Sequence, residues 1–167
     1  MEVFFIARKV KLCESPSKAG GLPILITGDQ GLTTSTAVLE ALGELGVSRP
    51  AVITPYPDDT NEVERQFLEH HGFHVVNISG LGNDYVNQSI TDIEPSHVYQ
   101  QVKKLDKSGA DCLFISCSGL NVLDIIELLE TDLNMPVVTS NQASLWACLR
   151  HAGVGTRIPE LGELFRR

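Results

Sequence analysis

Short, nearly uninterrupted apolar runs, separated by segments of helical period, constrain this chain more than any other feature. Ala51-Val52-Ile53-Thr54, His74–Ile78, Cys112–Ser116 and Pro136–Thr139 are each too short for a helix. Between them the apolar residues recur at helical spacing. Ser35–Gly46 carries Val38, Leu42 and Leu45 with Gly46 as a stop, and Asp59 with Glu62 reads as a capping box that turns Val63 and Phe67 inward as far as Gly72. Pro95 opens a helix bearing Val98, Val102 and Leu105 that Gly109 ends, and Leu120–Thr131 repeats the period through Val122, Ile125, Ile126 and Leu129. Asn141 caps a last helix running to about Ala152. Strands this apolar must be covered on both faces. The expected fold is therefore α/β and three-layered: a flavodoxin-like four-stranded parallel sheet with helices on both faces.

In such a sheet ligands bind beyond the carboxyl ends of the strands. Those ends read Thr54-Pro55-Tyr56, Ser116-Cys117-Ser118-Gly119 and Thr139-Ser140-Asn141-Gln142. Cys117 follows a strand and precedes the helix expected near Leu120, an arrangement in which backbone N–H groups and the helix dipole favour the nucleophilic thiolate. A small buried hydrophobe is the other reading of a cysteine, and it is the one that suits Cys112 and Cys148. Pro55 ends its strand and brings the Tyr56 hydroxyl over the same edge, either as a donor to a carboxylate or carbanion or as an ordinary amphipathic surface residue. Thr33-Thr34-Ser35-Thr36 offers hydroxyls that cap a helix or cradle a carboxylate. The stretch Thr34–Leu42 is echoed by Thr139–Ala147; both are preceded by Pro-led apolar strands (Pro23–Ile26 and Pro136–Val138) and followed by Gly-Val pairs, as a duplicated architecture would produce.

With 167 residues, the chain suits one α/β domain. A formal charge of −8 with no Lys/Arg stripe argues against a nucleic-acid partner. The apolar run Val3–Ala7 is too short for a signal-peptide core or a membrane span. The four cysteines show no C-x-x-C spacing, so reduced thiols and a cytoplasmic location are expected. The five histidines make no metal pattern, and Thr27–Gly31 matches no phosphate-binding loop, so neither metal nor cofactor is expected.

Ile53-Thr54-Pro55-Tyr56-Pro57, Phe114-Ile115-Ser116-Cys117-Ser118-Gly119-Leu120 and the stretch from Pro136 to Trp146 resemble the maleate cis–trans isomerases. They also resemble the related arylmalonate decarboxylases and Asp/Glu racemases. The likeness runs from about Thr33 to Val154 and implies one subdomain of a two-subdomain enzyme with its active site between the halves. It divides the chain into a remnant of the first subdomain or a leader (1–32), an α/β subdomain (33–154) and a C-terminal tail (155–167). It also implies that Cys117 is the catalytic thiol of the C-terminal half. Tyr56, Asn87, Ser118, Gly119, Thr34 and Ser35 would then hold a small dicarboxylate substrate. Cys13 faintly echoes the N-terminal cysteine of the family.

The implied reaction is cofactor-free conversion of maleate to fumarate by thiolate addition, rotation and elimination. Malonate decarboxylation and a non-catalytic binding module are the alternatives. Because only about thirty residues precede Thr33, the resemblance implies an incomplete site in this chain. An exposed apolar edge there would favour self-association, and a homo-oligomer could supply the missing face.

Overall fold

The computed structural model describes residues 10–13, 24–27, 30–82 and 89–167, with side chains from Leu32 onward. Three short strands, β1 (Val10–Cys13), β2 (Ile24–Thr27) and β3 (Gln30–Thr33), form an antiparallel sheet in that order. Helix α1 (Thr34–Leu45) follows. The second sheet contains β4 (Pro50–Thr54), β5 (Asn77–Gly80), β6 (Cys112–Ile115) and β7 (Val137–Thr139), ordered β5-β4-β6-β7 and parallel throughout. Its helices are α2 (Asp58–His70), α3 (Pro95–Lys104), α4 (Ile126–Leu133) and α5 (Ser140–His151). This is the expected four-stranded, flavodoxin-like layer structure.

Side-chain alternation along the strands divides the core. Val52, Cys112, Phe114 and Val138 face α1, α5 and Leu68 of α2. Ala51, Ile53, Leu113, Ile115 and Val137 face Val98 and Val102 of α3 and Ile126 and Leu129 of α4. Residues 155–167, delimited above as a tail, place Leu164 and Phe165 in the first of these cores. The Glu130 carboxylate holds that segment, accepting from the N–H groups of Val137 and Glu163 and pairing with Arg166 at 3.2 Å. No helix among the described residues is long and apolar enough to cross a membrane.

Several sequence expectations need correction. β5 starts at Asn77 rather than His74, because the N–H groups of His74 and Val76 still bond to Ser48 and Pro50 at the approach to the ladder. No capping box opens α2: Asp58 is already helical, Pro57 stands at the cap, and Asp59 accepts from the adjacent Thr60 N–H. Val63 does not face inward, being 66% exposed, whereas Asn61 and Leu68 are buried. The α3 helix stops at Lys104, where the Lys107 ammonium donates to the carbonyls of Val102 and Leu105, and Gly109 sits in the following turn at φ +81°. The helix expected over Leu120–Thr131 begins as a 3-10 turn at Leu123 and becomes α-helical only at Ile126. Thr139, not Asn141, caps α5 in a reciprocal box with Gln142.

The internal echo holds for the helices and fails for the strands. Thr33 and Thr139 each accept from the N–H three residues on, and Gly46 and Gly153 both follow their helices at positive φ. The two helices pack against each other. However, β2 lies in an antiparallel sheet and β7 in a parallel one.

Trp146 and Leu149 are both buried within the first core. Trp146→Ala should lower unfolding free energy by about 3–5 kcal/mol, measured by denaturant titration. A variant that unfolds with its parent would show that α5 is not docked through this residue.

Candidate functional site

Tyr56 stands just past β4 in a turn locked by polar contacts. The Thr54 hydroxyl donates to the Asn61 side-chain carbonyl and accepts from the Tyr56 N–H at 3.0 Å, while the Asn61 amide donates to the Tyr56 carbonyl at 3.3 Å. Thr54 and Asn61 are buried, so each needs the other as a partner. Gly80 on β5 completes the seat, since a β-carbon there would lie 2.7 Å from the Tyr56 carbonyl oxygen.

Cys117 ends the neighbouring strand. The Ser116 N–H makes a last rung to the Ile53 carbonyl at 2.9 Å, and Cys117 then turns at φ +105°, a conformation uncommon outside glycine and concentrated at functional sites. Its N–H donates to the Ser140 hydroxyl at 3.0 Å, and the Gly119 N–H points at its sulfur at 3.3 Å. A β-carbon on Gly119 would press to 3.1 Å from Ile90 Cγ2, so a side chain there would crowd the loop that supplies this donor. The expected helix N-terminus is not what faces the thiol, because α4 begins nine residues later.

The two seats converge. The Tyr56 hydroxyl lies beside the Cys117 sulfur; burial first, then its interaction with Cys117, holds the phenol well above its ordinary value, so it remains an O–H donor at neutral pH. A cavity of about 320 Å³ opens beside them. Thr34 and Ser35 enter it from the first turn of α1, and Ser140 from the first turn of α5. Val38, Phe67, Leu68 and Phe114 form its apolar wall.

The structure thus brings Cys117, Tyr56, Ser118, Thr34 and Ser35 together around one cavity, with Gly119 contributing through its N–H. Asn87 lies outside the described residues. Cys13 ends β1, and its side chain lies outside them as well. Among the described residues no group of acids, cysteines and histidines could hold a metal.

Sequence reasoning missed Glu64, which lines the cavity. It is half-buried; burial raises its pKa, while a hydrogen bond donated by the Ser116 hydroxyl opposes the rise. Thr60, Glu64, Phe67 and Leu68 share a face at i, i+4, i+7 and i+8. That period was present in the sequence, but the assignment of Val63 to the core concealed it.

Two outcomes are expected. Near neutral pH, alkylation followed by mass-spectrometric mapping should modify Cys117 before Cys112 and Cys148. Both of the latter are buried, and burial pushes both thiols up. Preferential labelling of either would remove Cys117 as the reactive thiol. Glu64 makes stability depend on pH. The folded chain holds its proton more tightly than the unfolded one, so stability falls as pH rises from the ordinary glutamate value of 4.5 through the raised native value. Glu64→Gln should therefore melt progressively higher than its parent across that window. Parallel melting curves would contradict the buried-acid assignment.

The family model for arylmalonate decarboxylase matches residues 10–165. The chain is 36% identical over 141 residues to the arylmalonate decarboxylase of Bordetella bronchiseptica, covering 83% of this chain and 59% of that protein. A crystal structure of an arylmalonate decarboxylase superposes with a TM-score of 0.74 at 34% identity, over 80% of this chain and 60% of the other. A serine-for-cysteine mutant of the Nocardia farcinica maleate cis-trans isomerase, solved with a covalently bound succinylcysteine intermediate, superposes with a TM-score of 0.76 at 26% identity, over 83% and 58%. The chain therefore spans somewhat under two thirds of the length of these relatives. By the family model and by identity over most of its length, this chain belongs to the arylmalonate decarboxylase family.

Proposed function

We propose that the chain supplies the Cys117 side of a cofactor-independent site acting on a small dicarboxylate, by cis–trans isomerisation of the maleate-to-fumarate type. The observation that carries this is the seat of Cys117: it lines a cavity, the Gly119 N–H points at its sulfur, and Tyr56 stands beside it in the same wall. The Cys117 thiolate would add to one alkene carbon, forming a C–S bond as the π electron pair moves onto the neighbouring carbon and into its carboxylate. The former double bond can then rotate. Return of the pair expels the thiolate and leaves fumarate, with no net change in electrons or atoms. Tyr56, kept protonated by its surroundings, and the hydroxyls of Thr34, Ser35 and Ser140 would steady the carboxylate charge that grows during addition. The Nocardia relative with its succinylcysteine supports the covalent step.

Decarboxylation of an arylmalonate is the second reading, favoured by the higher identity to a decarboxylase. Loss of carbon dioxide would leave a carbanion, which the Cys117 S–H would protonate before regaining a proton from water. The apolar wall of Val38, Phe67 and Phe114 could receive an aryl group. Free thiols at Cys112, Cys117 and Cys148 support a cytoplasmic setting. Val63, exposed at the cavity rim, supports a homo-oligomer in which a second copy covers the opening.

Incubating the purified chain with maleate and with phenylmalonate, alone and fused behind the first half of a family relative, tests both readings. Fumarate formation that Cys117→Ser abolishes and Tyr56→Phe lowers by roughly 10²-fold in kcat is expected. Carbon dioxide release with no fumarate would establish the second reading. Turnover unaffected by Cys117→Ser, or no product from either protein, would overturn the assignment of Cys117 as the reacting group.

A further inference from the structure

We propose that Glu64 determines which ligands this cavity accepts: when a dicarboxylate binds, Glu64 takes up a proton and donates it in a hydrogen bond to one carboxylate of the ligand. The inference rests on the dicarboxylate reading above and adds a residue to it.

Glu64 is one of the wall residues, entering from α2 between Thr60 and Phe67. The cavity is otherwise apolar walls and hydroxyls: Thr34, Ser35 and Val38 from α1, Ser140 from α5, Phe114, Ser116 and Cys117 from β6 and its turn, and Tyr56 beyond β4. Among the described residues, no lysine, arginine or histidine lines it. The nearest cation along α2, Arg65, is engaged elsewhere. It pairs with Glu62 and Glu69 at 3.8 Å each and donates to the Val75 carbonyl at 2.9 Å. Glu40 of α1 and His151 of α5 are joined to each other at 3.0 Å, and neither lines the cavity. The titratable groups facing Glu64 are therefore Tyr56 and Cys117, neither of which can supply a positive charge.

An ionised Glu64 would set a fixed negative charge beside two further negative charges, with no cation in the wall to offset them. Like charges sharing a desolvated site raise the pKa of the weaker acid until one proton is retained. Burial already pushes Glu64 in that direction before any ligand arrives. As an acid, Glu64 has one O–H to give and an acceptor oxygen for the Ser116 hydroxyl, so protonation turns the one repulsive group into a donor. Binding a dianion thus draws a proton onto Glu64. A ligand with no carboxylate to accept from that donor gains nothing from it, which makes the residue a selector as well as a proton acceptor.

Isothermal titration of maleate and of malonate into the purified chain, in two buffers of different ionisation enthalpy, reads the proton directly. At pH values where free Glu64 is ionised and bound Glu64 is not, the parent should take up close to one proton per dianion bound, and affinity should fall up to tenfold per pH unit as pH rises. In Glu64→Gln, whose amide still donates, affinity should persist with uptake near zero and no dependence on pH. In Glu64→Ala, affinity should fall at least tenfold. Cys117→Ala should retain the uptake, which separates Glu64 from the thiol. Melting curves confirm that each variant is folded. Binding by the parent without proton uptake, or uptake that survives in Glu64→Gln, overturns the role of Glu64 and leaves the dicarboxylate reading standing. A folded parent that binds neither dianion overturns both.

Discussion

The last rung of the β4–β6 ladder, from the Ser116 N–H to the Ile53 carbonyl at 2.9 Å, is the contact on which the candidate site depends. Parallel pairing brings the carboxyl ends of the two strands to the same edge, with Ile53 opposite Ile115. Three residues past that register on one strand stands Tyr56, and two residues past it on the other stands Cys117. A phenol and a thiol separated by 61 positions in sequence thereby meet in one cavity wall. Slipping the register would carry each of them away from the other and would exchange the two core faces as well.

The polar groups at this edge are costly to bury and are matched accordingly. Leaving Asn61 or Thr54 without a partner would cost on the order of 1–3 kcal/mol each, and their mutual bond avoids this while fixing the backbone of Tyr56. Cys117 stays in its left-handed conformation because Ser140 holds its N–H from a different helix. The same close packing leaves Glu64 in a wall where, among the described residues, no lysine, arginine or histidine stands, and burial raises its pKa. Rigidity and electrostatic bias at the site therefore have one origin, the packing of α1, α2 and α5 on a single face of the sheet.

Much of the architecture was legible from local pattern. The runs around Val52, Phe114 and Val138 could only be buried strands, and Val38, Leu42 and Leu45 marked a helix face that is indeed buried. Cys117 and Tyr56 stood out because each follows such a strand. Helix boundaries were less legible, for identifiable reasons. The segment after Leu120 has the period of a helix but spends its first turn as 3-10, and Lys107 ends α3 before Gly109 through side-chain bonds that no periodicity encodes. Glu64 was hidden by a one-residue error of phase on α2, since Val63 and Glu64 offer faces about 100° apart and the sequence favours the apolar one.

Hydrophobic period and strand composition determined by themselves that this chain forms a parallel sheet with helices on both faces, because apolar surface must be removed from water whatever the details of packing. They also marked the strand ends that carry Tyr56 and Cys117. Tertiary structure alone decided that Tyr56 stands beside Cys117, that Ser140 and Gly119 complete the thiol's surroundings, and that Glu64 enters the same cavity. These relations join residues from separate elements. Their geometry follows from strand register and helix docking, which depend on the sum of many long-range contacts and leave no local trace in the order of the residues.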